Sequence, residues 1–181
     1  MCEELTKYEL VATREGVAML VDARFETDTH DFYFGDQEES GLAVRMESKL
    51  RVKGGTGTIL NSRGGKNGAE TWGKEATWVD YFGTSSGRSV GVMVVPSPHN
   101  ARRCWMHTRD YGLVVANPFP KQPKERREPY VKTSVRKGEV FRLSYGVLLH
   151  DAPEVSAPDS RQLYEVVSRL MQNWSNAVKE D

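Results

Sequence analysis

Val17-Ala18-Met19-Leu20-Val21-Asp22-Ala23-Arg24-Phe25 is the stretch on which the fold class turns. Val17, Met19, Val21, Ala23 and Phe25 fall on one side of an extended chain, and Asp22, Arg24 and Glu26 fall on the other, the period of two that a half-buried strand requires. Glu15-Gly16 just ahead of it predicts a hairpin turn back to Tyr8–Thr13. Working outward, further strands are predicted at Leu42–Met46, Thr56–Leu60, Trp78–Phe82, Val90–Val95, Leu113–Ala116 and Val140–Leu149. Turn dipeptides separate them, among them Gly35-Asp36, Gly54-Gly55, Gly64-Gly65, Ser86-Gly87, Asn117-Pro118 and Lys137-Gly138. Many short strands with little helical periodicity between them predict an all-β fold, an antiparallel β-sandwich over residues 1–151.

One segment has a different period. Leu163, Val166, Val167, Leu170, Trp174 and Val178 recur at three- and four-residue intervals, the buried stripe of an amphipathic helix over 160–178. Pro158-Asp159-Ser160 supplies a stop and capping side chains ahead of it, and residues 152–160 read as its linker. The helix is expected either to pack on the sandwich or to form the seam of a homodimer.

Composition narrows the classes of function. At 181 residues with 38% hydrophobic positions, the chain suffices for one core. Lysine plus arginine (25) equals aspartate plus glutamate (25), so no net field draws the molecule to nucleic acid. The longest apolar runs, such as Val90–Val95, fall far short of the roughly 18 to 20 residues that span a bilayer, so no membrane partner is expected. The acidic start Met1-Cys2-Glu3-Glu4 carries no secretory pattern, and Cys2 and Cys104 form no disulfide framework, which points to a cytoplasmic protein. Charge is unevenly spread: residues 1–48 hold 12 acidic and 4 basic side chains, and Lys121 to Lys137 holds seven basic against two acidic. That second stretch is either an anion-binding loop or a solvated loop beside an acidic neighbour.

Chemistry concentrates in His99-Asn100-Ala101-Arg102-Arg103-Cys104-Trp105-Met106-His107-Thr108-Arg109-Asp110-Tyr111, which holds two of the four histidines. A histidine near an aspartate can be a general base, a metal ligand or an electrostatic anchor. Equally, Arg109 and Asp110 can pair to close a turn while His107 ends a strand. On Trp78-Val79-Asp80-Tyr81-Phe82, alternation groups Trp78, Asp80 and Phe82, either a sugar platform with a carboxylate between rings or ordinary core. A metal at His99 and His107 would need further ligands, with His150, Asp80 and Glu39 as the candidates. His107-Thr108-Arg109-Asp110 lacks the companion motifs of a kinase, Gly65-Lys66-Asn67 lacks those of a phosphate loop, and Cys104 has no base beside it in sequence.

Trp78 to Gly83, His99, the string Trp105-Met106-His107-Thr108-Arg109-Asp110-Tyr111-Gly112-Leu113, and Asn117-Pro118-Phe119 together resemble the soluble bacterial family described as methane oxygenase PmoA-like. Asp36 to Gly41, Glu70 to Lys74 and the strand from Lys137 to His150-Asp151 are similar as well, so the resemblance covers roughly residues 25–151. It implies a galactose-mutarotase-like supersandwich and carbohydrate handling of mutarotase or lyase type, with a small carbohydrate as partner and no cofactor specified. On that reading His107 is the general acid or base, Asp110 or Asp80 orients it or takes the second proton, and Arg109 holds an oxyanion or uronate. Trp78, Trp105, Asp80, His99 and Glu39 bind the sugar. A noncatalytic sugar-binding or assembly module is the alternative. Metal-dependent oxidation, with His99, His107 and an acidic residue as ligands, is a third. Longer members carry a histidine-bearing segment upstream of the position matching Phe25, and the 24 residues here hold no histidine, which implies a short member or a fragment.

Overall fold

The computed structural model describes residues 2–120, 131–152 and 157–177. Twelve strands are found among them: β1 (Glu3–Ala12), β2 (Gly16–Glu26), β3 (Phe32–Phe34), β4 (Leu42–Arg45), β5 (Thr58–Asn61), β6 (Lys74–Glu75), β7 (Val79–Ser85), β8 (Arg88–Pro96), β9 (Trp105–Arg109), β10 (Leu113–Asn117), β11 (Thr133–Val135) and β12 (Phe141–Ala152). A short helix α1 (Asn67–Thr71) and the long α2 (Ser160–Ala177) complete the fold. A six-stranded sheet in the order β1-β2-β12-β8-β7-β5 faces a four-stranded sheet, β4-β10-β9-β6, and β3 and β11 form a two-stranded ribbon. Every pairing is antiparallel. The all-β reading with a C-terminal helix is therefore correct.

The core lies between the two sheets, where Val21, Tyr81, Val92, Tyr145 and Val147 of the larger meet Met106, Val114 and Ala116 of the smaller. Phe34 closes one end, 4.8 Å from Phe119 and 5.1 Å from Phe141, ring centre to ring centre. A second apolar layer lies on the other face of the six-stranded sheet, where Ala18, Leu20, Met93, Val95 and Leu148 receive Leu163, Val167 and Met171 of α2. The helical stripe is thus covered within the chain. Asp159 accepts the Arg161 and Gln162 amides at its start, as a capping aspartate does.

Two details of the deciding stretch come out differently. Asp22, expected on the solvent side, is buried, because its face of β2 is the one roofed by α2; Arg142 and Ser144 hydrogen-bond to its carboxylate. Val17, expected in the core, is exposed together with Tyr8, Leu10 and Leu149 on the same face, since the smaller sheet ends short of this corner. The strand predicted at Thr56–Leu60 begins only at Thr58, because Gly57 is held by its amide to the Arg51 carbonyl in a turn. Strand β9, in the middle of the chemistry-rich stretch, was not predicted at all. Residues 121–130 of the basic stretch and 153–156 of the linker lie outside the described residues. No helix among the described residues is long and apolar enough to cross a membrane.

Candidate functional site

Pairing of β9 with β10 sets the faces of the small sheet: Met106 and Thr108 point inward, while Trp105, His107 and Arg109 point out. The outer face of this sheet therefore carries three of the residues singled out in the sequence, side by side. They are joined from two other directions. Asn117, at the end of β10, donates its side-chain amide to the Gln37 and Glu38 carbonyls, clamping the segment before β4 over the sheet. Gly41 makes that approach feasible: its φ is +102°, and a Cβ there would sit 2.3 Å from the Ala116 carbonyl oxygen. From the opposite side comes Trp72, directly after α1. The Asp110 carboxylate accepts the Gly68 amide at 2.8 Å, and Thr71 bonds Thr108 hydroxyl to hydroxyl at 2.7 Å, so α1 is stapled to the end of β9.

His107 lies at the centre and is fully buried beneath these groups. Arg109 Nε donates to its Nε2 at 3.0 Å, and the Trp72 indole donates to its Nδ1 at 3.3 Å. A neutral imidazole offers one lone pair and one N–H, so the two donors compete and the ring proton sits on the nitrogen left over. Each nitrogen also has a carboxylate at hand: Glu38 Oε2 is 3.8 Å from Nδ1, and Glu39 Oε1 is 3.8 Å from Nε2. Burial lowers the His107 pKa first, the Arg109 guanidinium lowers it further, and Glu38 and Glu39 draw it back in part. The ring is held neutral near pH 7 with its proton free to occupy either side. Arg109 is itself positioned, 5.3 Å over the Trp72 ring and 3.4 Å from Glu38 Oε2. Trp105 packs on the imidazole at 6.0 Å and donates its indole N–H to the Phe119 carbonyl. The carboxylates are the solvent-facing part of the cluster, with the Glu39 side chain 63% exposed.

The other sequence candidates fall elsewhere. Asp80 is completely buried on the opposite face of the six-stranded sheet, accepting from the Ser160 hydroxyl at 2.6 Å and lying 2.8 Å from His150 Nε2. It ties the start of α2 to β7 and β12, and Trp78 packs in the same helix-covered layer. The Asp110 carboxylate serves the α1 amide just described. His99 lines a cleft of about 790 Å³ between α2 and the β8–β9 connection. His107 and His99 thus line different surfaces, and no group of three or more His, Cys, Asp or Glu side chains able to hold a metal occurs among the described residues. The residues do not fit a metal centre built on these histidines. Cys104 is buried and its thiol is pushed up to about 12 by desolvation, with Asn100 opposing, which favours the protonated thiol near pH 7.

Trp72 and Glu38 were missed as site residues. Their signal was available only as two stretches, Asp36–Gly41 and Glu70–Lys74, far from His107 in sequence and joined to it by the sheet.

By fold and site this is a helix-backed antiparallel sandwich carrying a histidine, two glutamates, an arginine and two tryptophans on the outer face of its smaller sheet. A family model of unknown function, DUF6807, matches residues 1–165, and the chain belongs to that family. The match takes in β1, β2 and the first turn of α2, more than the 25–151 over which the sequence resemblance runs. No curated protein and no solved structure matches the chain.

Proposed function

We propose that the outer face of the four-stranded sheet is a carbohydrate site performing acid–base chemistry of mutarotase or lyase type, as the resemblance to the PmoA-like family suggests. The observation that carries this reading is His107 fixed between two donors, with a glutamate beside each of its nitrogens. Anomer interconversion needs a base that takes the proton of the C1 hydroxyl and an acid that protonates the ring oxygen as its bond to C1 breaks; reclosure on the other face reverses both transfers. Neutral His107 takes the hydroxyl proton as the base once the sugar reaches the ring beneath the carboxylates, and Glu39, the more exposed of the two, stabilises the imidazolium that forms. That imidazolium then acts as the acid, delivering the same proton to the ring oxygen as its bond to C1 breaks, so His107 returns to its neutral form. The Trp72 ring offers an apolar face for pyranose C–H groups, and Arg109 pairs with a uronate carboxylate where one is present. Anomer exchange of neutral aldoses and uronates, followed by NMR, tests this. His107→Ala should slow enzyme-dependent exchange by about 10²- to 10⁴-fold, the usual worth of a general acid or base. Undiminished exchange in that variant overturns the assignment.

A second reading, ligand binding without turnover, rests on the cleft beside α2. Arg63, Arg103 and His99 line it, and their side chains make no hydrogen bond or ion pair among the described residues, while Glu75 is the one carboxylate on its wall. Such a surface suits an anionic ligand. Saturable binding of sugar acids that is lost in Arg103→Glu, unchanged in His107→Ala and accompanied by no conversion would favour it.

A further inference from the structure

We infer that the free edge of β1 is a self-complementary interface through which a second copy of this chain extends the six-stranded sheet. Among the described residues β1 is the outermost strand, and its ten-residue register with β2 runs without a bulge. It contains no proline, and Leu5, Tyr8 and Leu10 are each more than half exposed. Natural edges are usually shortened, bulged or blocked; this one is long and regular, exposing Tyr8 and Leu10 on one face and Leu5 beside Lys7 and Glu9 on the other. The backbone direction follows from the hairpin. Thr13 donates its amide to the Gly16 carbonyl across the turn, so odd-numbered positions of β1 address β2, while Glu4, Thr6, Tyr8, Leu10 and Ala12 turn their N–H and C=O groups to the open side.

The side chains select one antiparallel register with a second β1. With the two-fold axis through Tyr8, Lys7 faces Glu9 of the partner subunit and Glu9 faces Lys7 of the partner subunit. Leu5 meets Val11 of the partner subunit on the same face, and on the other face Tyr8 meets Tyr8 of the partner subunit and Thr6 meets Leu10 of the partner subunit. The two neighbouring registers that keep the faces matched fail on charge. An axis through Lys7 sets lysine against lysine, and one through Glu9 sets glutamate against glutamate, both destabilising when directly opposite. The favoured register also places hydrogen-bonding positions opposite hydrogen-bonding positions, since the residues facing the open side pair with one another. The exposed corner formed by Tyr8, Leu10, Val17 and Leu149, which the smaller sheet leaves uncovered, becomes continuous across the axis.

Sedimentation equilibrium over a concentration series tests the inference. The wild-type chain should be dimeric, and Lys7→Glu or Glu9→Lys alone should weaken the dimer by about ten-fold or more, because each places like charges opposite twice across the axis. The double exchange Lys7→Glu with Glu9→Lys restores opposite charges and should return the affinity to within about three-fold of wild type. Tyr8→Pro removes an N–H that points to the open edge and none that β2 uses, and should leave a folded monomer with an unchanged far-UV spectrum. A wild-type protein that stays monomeric at the highest concentration overturns the inference, as does a dimer insensitive to both charge reversals and to the proline.

Discussion

His107 and His150 both have acidic neighbours, and the two arrangements have opposite meanings. His150 lies under α2, 2.8 Å from Asp80, whose second oxygen takes the Ser160 hydroxyl; nothing in the trio reaches solvent to any useful extent. His107 lies on the outer face of the other sheet, where two donors compete for its lone pair and the nearest carboxylates stand 3.8 Å away and open to water. The first is a closed network whose partners are matched to one another. The second is a set of polar groups whose demands can be met in more than one way. A histidine beside a carboxylate is therefore no sign of chemistry by itself; access and the absence of a single satisfied arrangement distinguish a site from a structural tie.

The largest expected effect lies in the closed network. Asp80→Ala leaves the His150 ring and the Ser160 hydroxyl buried without their acceptor and frees the start of α2. A loss of about 3–5 kcal/mol is expected in urea unfolding. Since a domain of this size loses about 2–4 °C per kcal/mol, the thermal midpoint should fall by roughly 6–20 °C. A loss below about 1 kcal/mol would mean that the network ties nothing down. Next in size is Gly91→Ala: the added Cβ would stand 2.5 Å from the His150 ring and 2.6 Å from the Phe82 Cβ. Overpacking there should cost about 1–3 kcal/mol in the same measurement.

At the open site the expected stability changes are smaller and the functional ones larger. His107 has a folded-state pKa below its unfolded value, so the unfolded chain binds the proton more readily. Its contribution is fully present above the unfolded-state value near 6.5 and is lost as pH falls through the lowered folded-state value. His107→Gln should flatten this part of the acid limb of a stability-against-pH curve, and an unaltered limb would show that the ring is not held neutral. Glu39→Gln should change unfolding stability by less than about 0.5 kcal/mol, as an exposed substitution does, while depressing anomer exchange. Equal activity in that variant would remove Glu39 from the chemistry.

How far these regions could be read from sequence differs for a physical reason. Strand alternation is local, so the sandwich and α2 were legible, yet alternation reports one buried face only. Asp22 looked like a surface residue because the helix covering it lies more than 130 positions away in the chain. Trp105, His107 and Arg109 were singled out one by one, but their shared face of β9 was not legible, because that strand was not predicted. Glu38 and Trp72 arrive through Asn117 and Asp110, contacts that span 79 and 42 positions and leave no periodic trace. Asp80 was legible as unusual, a carboxylate among apolar residues, but whether its partner would be a ligand or a helix start was a matter of packing.

Which histidine meets a sugar can be read directly, because imidazole ring nitrogens are observed one by one. The chain has four histidines, so a long-range ¹H–¹⁵N correlation spectrum titrated with neutral aldoses and uronates reads each ring separately. At pH 7 the His107 ring should be neutral, and its nitrogens should shift saturably with sugar while those of His150 stay fixed. Shifts confined to His99, or no shift at His107 with any sugar, would contradict the assignment.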